Sequence, residues 1–276
     1  MTGVLELFGY TFFQHALLAA LLTSIACGIT GTYIVTRRLV FLSGGITHAS
    51  FGGIGIAFYL GIYPLAGAAV FAIISALLIV FFSKRDAIRP DSLIGMLWSF
   101  GMAVGTIFIF ITPGYTPNLM SYLFGNILTV TRLDLTLLGL LATGVVVVFM
   151  LLYPLILSVS FDEEFARTRR QPVQLINIVL MVLVSLSIVM TIRVAGIVLV
   201  ISYLTIPQAV AGIFSRRLSS LMVSSVIISI IGSLLGLWAA YVYDIPSGAS
   251  IIFTFILLFL LAKAFRSIQI KVAANR

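Results

Sequence analysis

The sequence is poor in charge. Only 9% of its residues are Asp, Glu, Lys or Arg, whereas soluble domains carry about 25%, and 61% are hydrophobic. A soluble domain is therefore excluded, and the chain is expected to be an integral membrane protein. The sequence also has a single cysteine, Cys27. It lies in the first apolar run, which excludes a disulfide framework and a thiolate metal cluster.

Two further absences concern the source of energy. The sequence contains no Walker-type phosphate loop, so the chain does not hold ATP in that manner. All eight carboxylates lie in predicted loops or at the ends of predicted spans. Ion-coupled carriers usually keep ionisable groups near the middle of the membrane. Energy for active transport must therefore come from another subunit, or the pathway is passive.

The net charge of +8 does not indicate nucleic-acid binding. The basic residues form small clusters between apolar runs, which is the pattern that orients membrane proteins. No nucleic-acid partner is expected, and membrane lipid is the expected surrounding of the chain.

The runs without charge predict about nine transmembrane helices, with eight as a possible count, because a helix needs about 20 apolar residues to cross a bilayer. The predicted spans are one in 7–36, two in 39–83, one in 92–131, and one each in 135–161, 171–192, 194–215, 218–243 and 245–262. Pro113 and Pro117 break the run 92–131 and leave residues 117–130 as a re-entrant or interfacial half-helix.

The basic clusters then predict the orientation. With nine spans and a half-helix that does not cross, all 16 Lys and Arg except Arg132 and Arg193 fall on one side. By the positive-inside rule this side is cytoplasmic. The N-terminus is therefore expected outside and the C-terminus in the cytoplasm.

One histidine stands out in the membrane. His48 lies in residues 39–83, which contain no Asp, Glu, Lys or Arg, and glycines precede and follow it. An imidazole can bind a metal ion, and placing this polar ring in hydrocarbon costs free energy. Glycines let the backbone of another helix approach closely. His48 is therefore the candidate metal ligand, with Thr47 and Ser50 beside it on a translocation pathway. The alternative is a histidine that donates a hydrogen bond to a neighbouring helix.

The cytoplasmic loop 159–171 predicts a short surface helix. Ser160 and Glu163 have the spacing of a capping box, and acidic residues precede basic ones as the helix dipole favours. Phe165 and Ala166 would be its apolar contacts. The loop is interpreted either as a docking element for a soluble motor or as an ordinary amphipathic connector.

Polar residues also flank Pro207 in the seventh predicted span. Tyr203, Thr205 and Gln208 lie near the backbone carbonyl that proline leaves free. Tyr203 and Thr205 are added to the candidate pathway. A kinked polar gate and a plain helix bend both remain open.

Five motifs occur in an order that resembles the membrane permease of the ABC importers for zinc, manganese and iron. The resemblance runs from about Thr11 to Arg266. The motifs are Gly44 to Gly55, Leu123 to Leu128, Phe161 to Ala166, Val200 to Ala209 and Asp244 to Gly248.

This resemblance implies one permease domain over residues 1–276, an all-α bundle of the type II importer kind, with a coupling segment at 159–171. It implies that the chain is not an enzyme and binds no cofactor, because a cytoplasmic ATPase dimer uses the ATP. It also implies an extracytoplasmic metal-binding protein, a second permease copy in a homodimer, and a bacterial or archaeal cytoplasmic membrane. The implied coupling residues, with Phe165 as the buried anchor, are Asp162, Glu163, Glu164, Phe165, Ala166 and Arg167.

The sequence departs from this family at Gly44, where members commonly carry an Asp one turn before the histidine. Two copies of His48 near a dimer axis would then form a weak, nitrogen-only site that passes an ion along. Imidazole suits zinc, iron or copper better than magnesium or calcium, but the sequence does not decide the metal. The alternatives are a permease for metal chelates and a stand-alone metal channel or carrier.

Overall fold

The computed structural model describes residues 9–82, 89–113, 125 and 127–274. In these residues every regular element is helical, which confirms the predicted all-α class. The helices are α1 (Thr11–Thr36), α2 (Val40–Leu60), α3 (Pro64–Phe82), α4 (Pro90–Ile111), α5 (Arg132–Leu151), α6 (Tyr153–Phe161), α7 (Glu163–Thr168), α8 (Val173–Phe214), α9 (Leu218–Tyr243) and α10 (Ser247–Ala274), with a 3₁₀ turn at Ile127–Thr129.

Helix α2 is packed tightly by its glycines. A Cβ atom on Gly52 would lie 2.9 Å from the carbonyl oxygen of Gly101 in α4, and one on Gly53 would collide with the backbone of Gly67 in α3. In a membrane, helices associate through such close van der Waals packing because lipid provides no hydrophobic drive between them. These contacts hold α2, and with it His48, between α3 and α4.

The longest helix, α8, turns back on itself at Gly196. This glycine has a non-helical conformation, with φ 79° and ψ 165°. Cys27 of α1 contacts residues on both sides of it: its Sγ lies 3.1 Å from the Thr191 hydroxyl, and its carbonyl accepts from Gln208 Nε2 at 2.9 Å. In a straight helix Thr191 and Gln208 would be about 25 Å apart, at about 1.5 Å per residue. Residues 173–195 and 197–214 are therefore two limbs that run in opposite directions.

Charged contacts mark the two ends of the bundle. At the Arg37 end, Arg37 follows α1 and binds Glu163 of α7. At the Asp134 end, Arg193 in the first limb of α8 binds Asp134 at the start of α5. Tracing the helices between these ends places every described Lys and Arg except Arg132 and Arg193 at the Arg37 end, as the charge pattern predicts.

Eight helices of the described ranges are long and apolar enough to cross a membrane. Eight is the lower of the two predicted counts, and counting the two limbs of α8 separately gives nine, the higher one. The predicted half-helix at 117–130 lies mostly outside the described residues.

Gly125, which belongs to the predicted half-helix 117–130, is described and contacts α8. It has a φ of 64°, which favours glycine. A Cβ atom there would collide with the backbone of Ala195 and Gly196. Gly125 therefore packs directly on the reversal of α8, and its position in the Leu123 to Leu128 motif has a steric cause.

Candidate functional site

His48 is stacked on an aromatic ring that the sequence alone did not associate with it. Its imidazole lies parallel to the indole of Trp98 in α4, with ring centroids 4.0 Å apart and an interplanar angle of 6°. His48 is half-buried, and its Nδ1 has no hydrogen-bond partner in the described part of the chain. The predicted alternative, a histidine that donates a hydrogen bond to a neighbouring helix, therefore gains no support from Nδ1 in those residues and stays a prediction.

Gly44 leaves the space that this stacking uses. A Cβ atom at Gly44 would lie 3.9 Å from the Trp98 ring and 3.6 Å from the side chain of Ile201 in the second limb of α8. A methyl group would fit there, but a longer carboxylate side chain would press on the indole. The structure therefore shows Trp98 occupying the neighbourhood that an acidic residue one turn before His48 would share.

The other predicted pathway residues divide into two groups. Thr205 is half-buried near Ile201 and donates to the Ile201 carbonyl at 2.7 Å, so its hydroxyl is tied to its own helix. Thr47 and Ser50 are buried and donate to carbonyls of α2. Of this set, therefore, only His48 and Thr205 are partly exposed: His48 beside Trp98, and Thr205 one turn after Ile201.

Tyr203 lies in the core. It is fully buried, its hydroxyl is 2.7 Å from the Ser233 hydroxyl of α9, and its ring meets Phe255 of α10 edge-on. Gln208 is also buried and is held by the carbonyl of Cys27. These contacts join α8 to its neighbours, so Tyr203 is placed away from the face that carries His48.

No metal site is complete within the residues that the structure describes. Among the described residues there is no group of three or more His, Cys, Asp or Glu side chains that could hold an ion. One imidazole supplies only part of the coordination shell that transition metals require. A site at His48 would need ligands from another molecule.

The predicted surface helix is present as α7, at the Arg37 end. Its N-cap is Asp162, whose Oδ1 accepts a hydrogen bond from the Phe165 amide at 2.8 Å. The predicted capping box between Ser160 and Glu163 is wrong, because α6 continues through Phe161 and makes Ser160 part of that helix. The short side chain of Asp162 reaches the free amides instead.

Glu163 binds two arginines. Its Oε2 accepts from Arg37 at 2.9 Å and its Oε1 accepts from Arg167 at 2.7 Å. Burial by itself would raise the pKa of the Glu163 carboxyl, but the hydrogen bonds from Arg167 and Arg37 outweigh it and hold the pKa below its ordinary value. Glu163 is therefore a carboxylate that is committed to ion pairs at neutral pH.

The two apolar residues of α7 face different surroundings. Ala166 is fully buried against the rest of the chain, whereas Phe165 is 51% exposed. The guanidinium of Arg169 lies 5.0 Å from the centre of the Phe165 ring, a cation–π distance. Asp162, Glu164 and Arg167 are exposed around this ring. The helix thus presents one aromatic side chain within a charged rim.

A second charged cluster lies at the Asp134 end. Asp134 is 1% exposed, forms a capping box with Thr131, accepts from the Tyr63 hydroxyl at 3.2 Å and lies 3.5 Å from Arg193 Nε. It therefore connects the α2–α3 turn, the start of α5 and the reversal of α8.

Sequence reasoning missed three contributors to these arrangements. Trp98 lies in a different span from His48, and no periodic pattern links the two. Arg37 was interpreted only as part of an orienting cluster, since its partner Glu163 is remote in sequence. The capping signal of Thr131 and Asp134 was available in the sequence, but the burial of Asp134 was not.

Comparison with known proteins gives one consistent result. The model of the ABC 3 transport family matches residues 9–266. The chain is 42% identical to a probable metal transport system membrane protein of Chlamydia pneumoniae, over 85% of this chain and 82% of the relative. It is 35% identical to the manganese transport system membrane protein MntC of Halalkalibacterium halodurans, over 93% and 88%. Its fold is similar to PsaBC from Streptococcus pneumoniae in complex with Fab, with a TM-score of 0.84, 29% identity, and 94% of this chain and 95% of that chain covered.

Proposed function

This chain belongs to the ABC 3 transport family, and we propose that it is the membrane permease of an ATP-driven importer for divalent transition metal ions. The manganese transport names of several relatives support manganese as the cargo. Zinc and iron remain within the same chemical class, since imidazole binds all three.

The observation that carries this proposal is the exposed ring of Phe165 on α7. An aromatic side chain surrounded by charged residues is typical of interface hot spots, where the ring is buried by the partner and the rim excludes water. The sequence has no phosphate loop of its own. We therefore assign α7 as the docking element for a cytoplasmic ATPase, with contacts from Asp162, Glu163, Glu164, Phe165 and Arg167. Ala166, which the sequence also placed in this set, is fully buried against the chain itself and holds α7 in place instead.

The partial exposure of His48 supports a second permease copy. His48 and Thr205 are only partly buried in a single chain, and one imidazole does not complete a metal site. Two copies facing each other would enclose the pathway and bring two histidines towards its axis. A nitrogen-only site of this kind binds an ion weakly, which conduction requires.

The remaining partners follow from the same assignment. The Arg37 end carries most of the basic residues, so it faces the cytoplasm, with the N-terminus outside and the C-terminus inside. The Asp134 end then faces an extracytoplasmic metal-binding protein that delivers the ion. The membrane is the bacterial or archaeal cytoplasmic membrane.

The test of the docking element uses proteoliposomes that contain the permease, its ATPase and its binding protein. We expect ATP-dependent uptake of Mn²⁺. Phe165→Ala should weaken ATPase binding by about 30-fold, the effect of losing one hot-spot side chain. Phe110→Ala, the same change at an 89% exposed position at the opposite end of the bundle from α7, is the control and should bind the ATPase normally. Steady Mn²⁺ flux without the ATPase would instead indicate a stand-alone channel or carrier.

The test of the pathway compares the two histidines. His48→Ala should lower Mn²⁺ uptake by about tenfold with ATPase binding unchanged, since one ligand contact is lost. His15→Ala is the control, because His15 contacts the carbonyl of Val130 at the Asp134 end. Equal uptake by both variants would remove His48 from the pathway, and uptake of a metal chelate but not of the free ion would change the cargo.

A further inference from the structure

Arg37 fastens α7 to the body of the permease. Its Nη2 donates to Glu163 at 2.9 Å and its Nη1 donates to the carbonyl of Val159, in α6, at 2.7 Å. One guanidinium thus holds the last turn of α6 and the first residue of α7 against the end of α1. Helix α7 is the element that the proposed function assigns to the ATPase, so this inference rests on that assignment.

The two ion pairs of Glu163 are not equivalent. Arg167 lies on α7 itself, one turn after Glu163, and its side chain is 55% exposed. Arg37 belongs to another helix and its side chain is 22% exposed. The pair with Arg167 stabilises α7 internally, whereas the pair with Arg37 joins α7 to α1 and is better shielded from water.

From Arg37 the chain leads directly to the wall of the pathway. Helix α1 ends at Thr36 and α2 begins at Val40. The turn between them is closed by backbone hydrogen bonds, including Leu39 N to Ile34 O at 2.8 Å. Such a turn transmits displacement because it has little freedom to bend. His48 lies on α2, a little over two helical turns beyond this turn.

A cavity of ≈ 230 Å³ lies beside the ion pair, between α7 and the body of the chain. It is lined by Arg37, Glu163, Leu39 and Leu42, together with residues of α1, α3 and α8. Ala166 is the buried apolar contact of α7, and the ion pair beside the cavity is the contact of α7 with the end of α1. The link between α7 and the start of α2 therefore depends on Arg37.

We propose that Arg37 is a positioning residue that couples α7 to α2. A movement that the ATPase imposes on α7 passes through Glu163 and Arg37 to the α1–α2 turn, and from there to the wall that carries His48. Arg37 also has a second role, because a basic residue at the membrane surface helps to orient the chain. Arg38 separates the two roles, because it is the neighbouring exposed arginine and forms no ion pair among the described residues.

The experiment measures Mn²⁺ transported per ATP hydrolysed by the reconstituted complex. Arg37→Gln should lower this ratio by at least about tenfold, the equilibrium effect of losing one charge-assisted hydrogen bond. ATPase binding should stay near the wild-type level, because Phe165 and its rim are intact. Arg38→Gln removes the same charge one residue away and should leave the ratio unchanged.

The same measurement separates this inference from the proposed function. A wild-type complex that moves none of Mn²⁺, Zn²⁺ and Fe²⁺ would overturn the proposed function and the role of Arg37 with it. If the wild-type and Arg37→Gln complexes transport the same amount of Mn²⁺ per ATP, only the role of Arg37 is overturned.

A second variant removes the question of folding. The variant carries Arg37→Cys and Glu163→Cys in a Cys27→Ser background. While its two thiols are free, ATP hydrolysis should be uncoupled from Mn²⁺ transport. A bifunctional thiol reagent that spans the two positions should then restore the transport ratio in the same protein sample. A linked complex that remains uncoupled would overturn the inference, since the connection would be present without its effect.

Discussion

The two ends of the permease both use carboxylate–arginine contacts, but they use them differently. At the Asp134 end the carboxylate is almost fully buried and contacts three separate parts of the chain. At the Arg37 end the Glu163 side chain is 24% exposed and lies on a helix of six residues. Removing one partner of a buried pair leaves an uncompensated polar group, whereas an exposed pair contributes little to stability.

The difference indicates a division of roles. The Asp134 end fixes the positions of α5, α8 and the α2–α3 turn, so it determines the fold. The Arg37 end holds a small helix by a few polar contacts, so that helix can be bound and displaced by a partner without unfolding the bundle. The following predictions test this contrast through the free energy of unfolding.

The largest loss of stability is expected for Gly125→Ala. Alanine at a φ of 64° costs about 1 kcal/mol, and its Cβ would also collide with the backbone of the α8 reversal, for a total of about 3 kcal/mol or more. Gly144→Ala in α5 is the control, since nothing lies within 4 Å of its added Cβ. Thermal unfolding in detergent measures both. Equal unfolding temperatures would show that the reversal does not depend on Gly125.

A smaller loss is expected for Asp134→Asn, about 2 kcal/mol. An amide replaces one of the carboxylate oxygens, which leaves Arg193 without its charge partner and disrupts the capping box with Thr131. Glu163→Gln is the matched change at the Arg37 end and should cost less than about 1 kcal/mol. The two variants are compared by thermal unfolding. If Glu163→Gln proves as costly as Asp134→Asn, the contrast between the two ends is wrong.

The smallest effect is expected from pH. The pKa of Glu163 is lowered in the folded chain by its arginine partners, so its stabilising contribution is complete above the unfolded pKa and is lost as the pH falls through the folded pKa. The difference in unfolding temperature between wild type and Glu163→Gln should therefore be constant from about pH 8 to about pH 6 and should shrink only below about pH 4.5. A difference that vanishes within the upper range would show that the carboxyl is not held ionised by Arg37 and Arg167.

Much of the fold was predictable because the membrane limits the choices. Apolar length predicts each pass, and backbone groups in lipid must pair within a helix. Even the reversal of α8 was anticipated, since residues 171–192 and 194–215 read as two spans around Arg193. The cap of α7 was misplaced because the extent of α6 depends on packing rather than on local pattern.

The candidate site was less predictable. The sequence drew attention to His48 and to α7, but it grouped Tyr203 with Thr205, although the two side chains point to different surroundings. It also gave no sign that Trp98 covers His48. Such relations depend on how helices rotate and cross, and a continuous apolar run has no polar face that fixes its rotation.

The sequence by itself determined that this chain crosses a membrane many times, which of its ends is basic, and where a short charged helix interrupts the spans. The reason is that apolar length and charge act locally, against a solvent of known thickness. Only the tertiary structure decided that Arg37 meets Glu163, that Trp98 stacks on His48 and that Gly125 seals the reversal at Gly196. Those contacts join residues from separate helices, so they exist only once the bundle has packed.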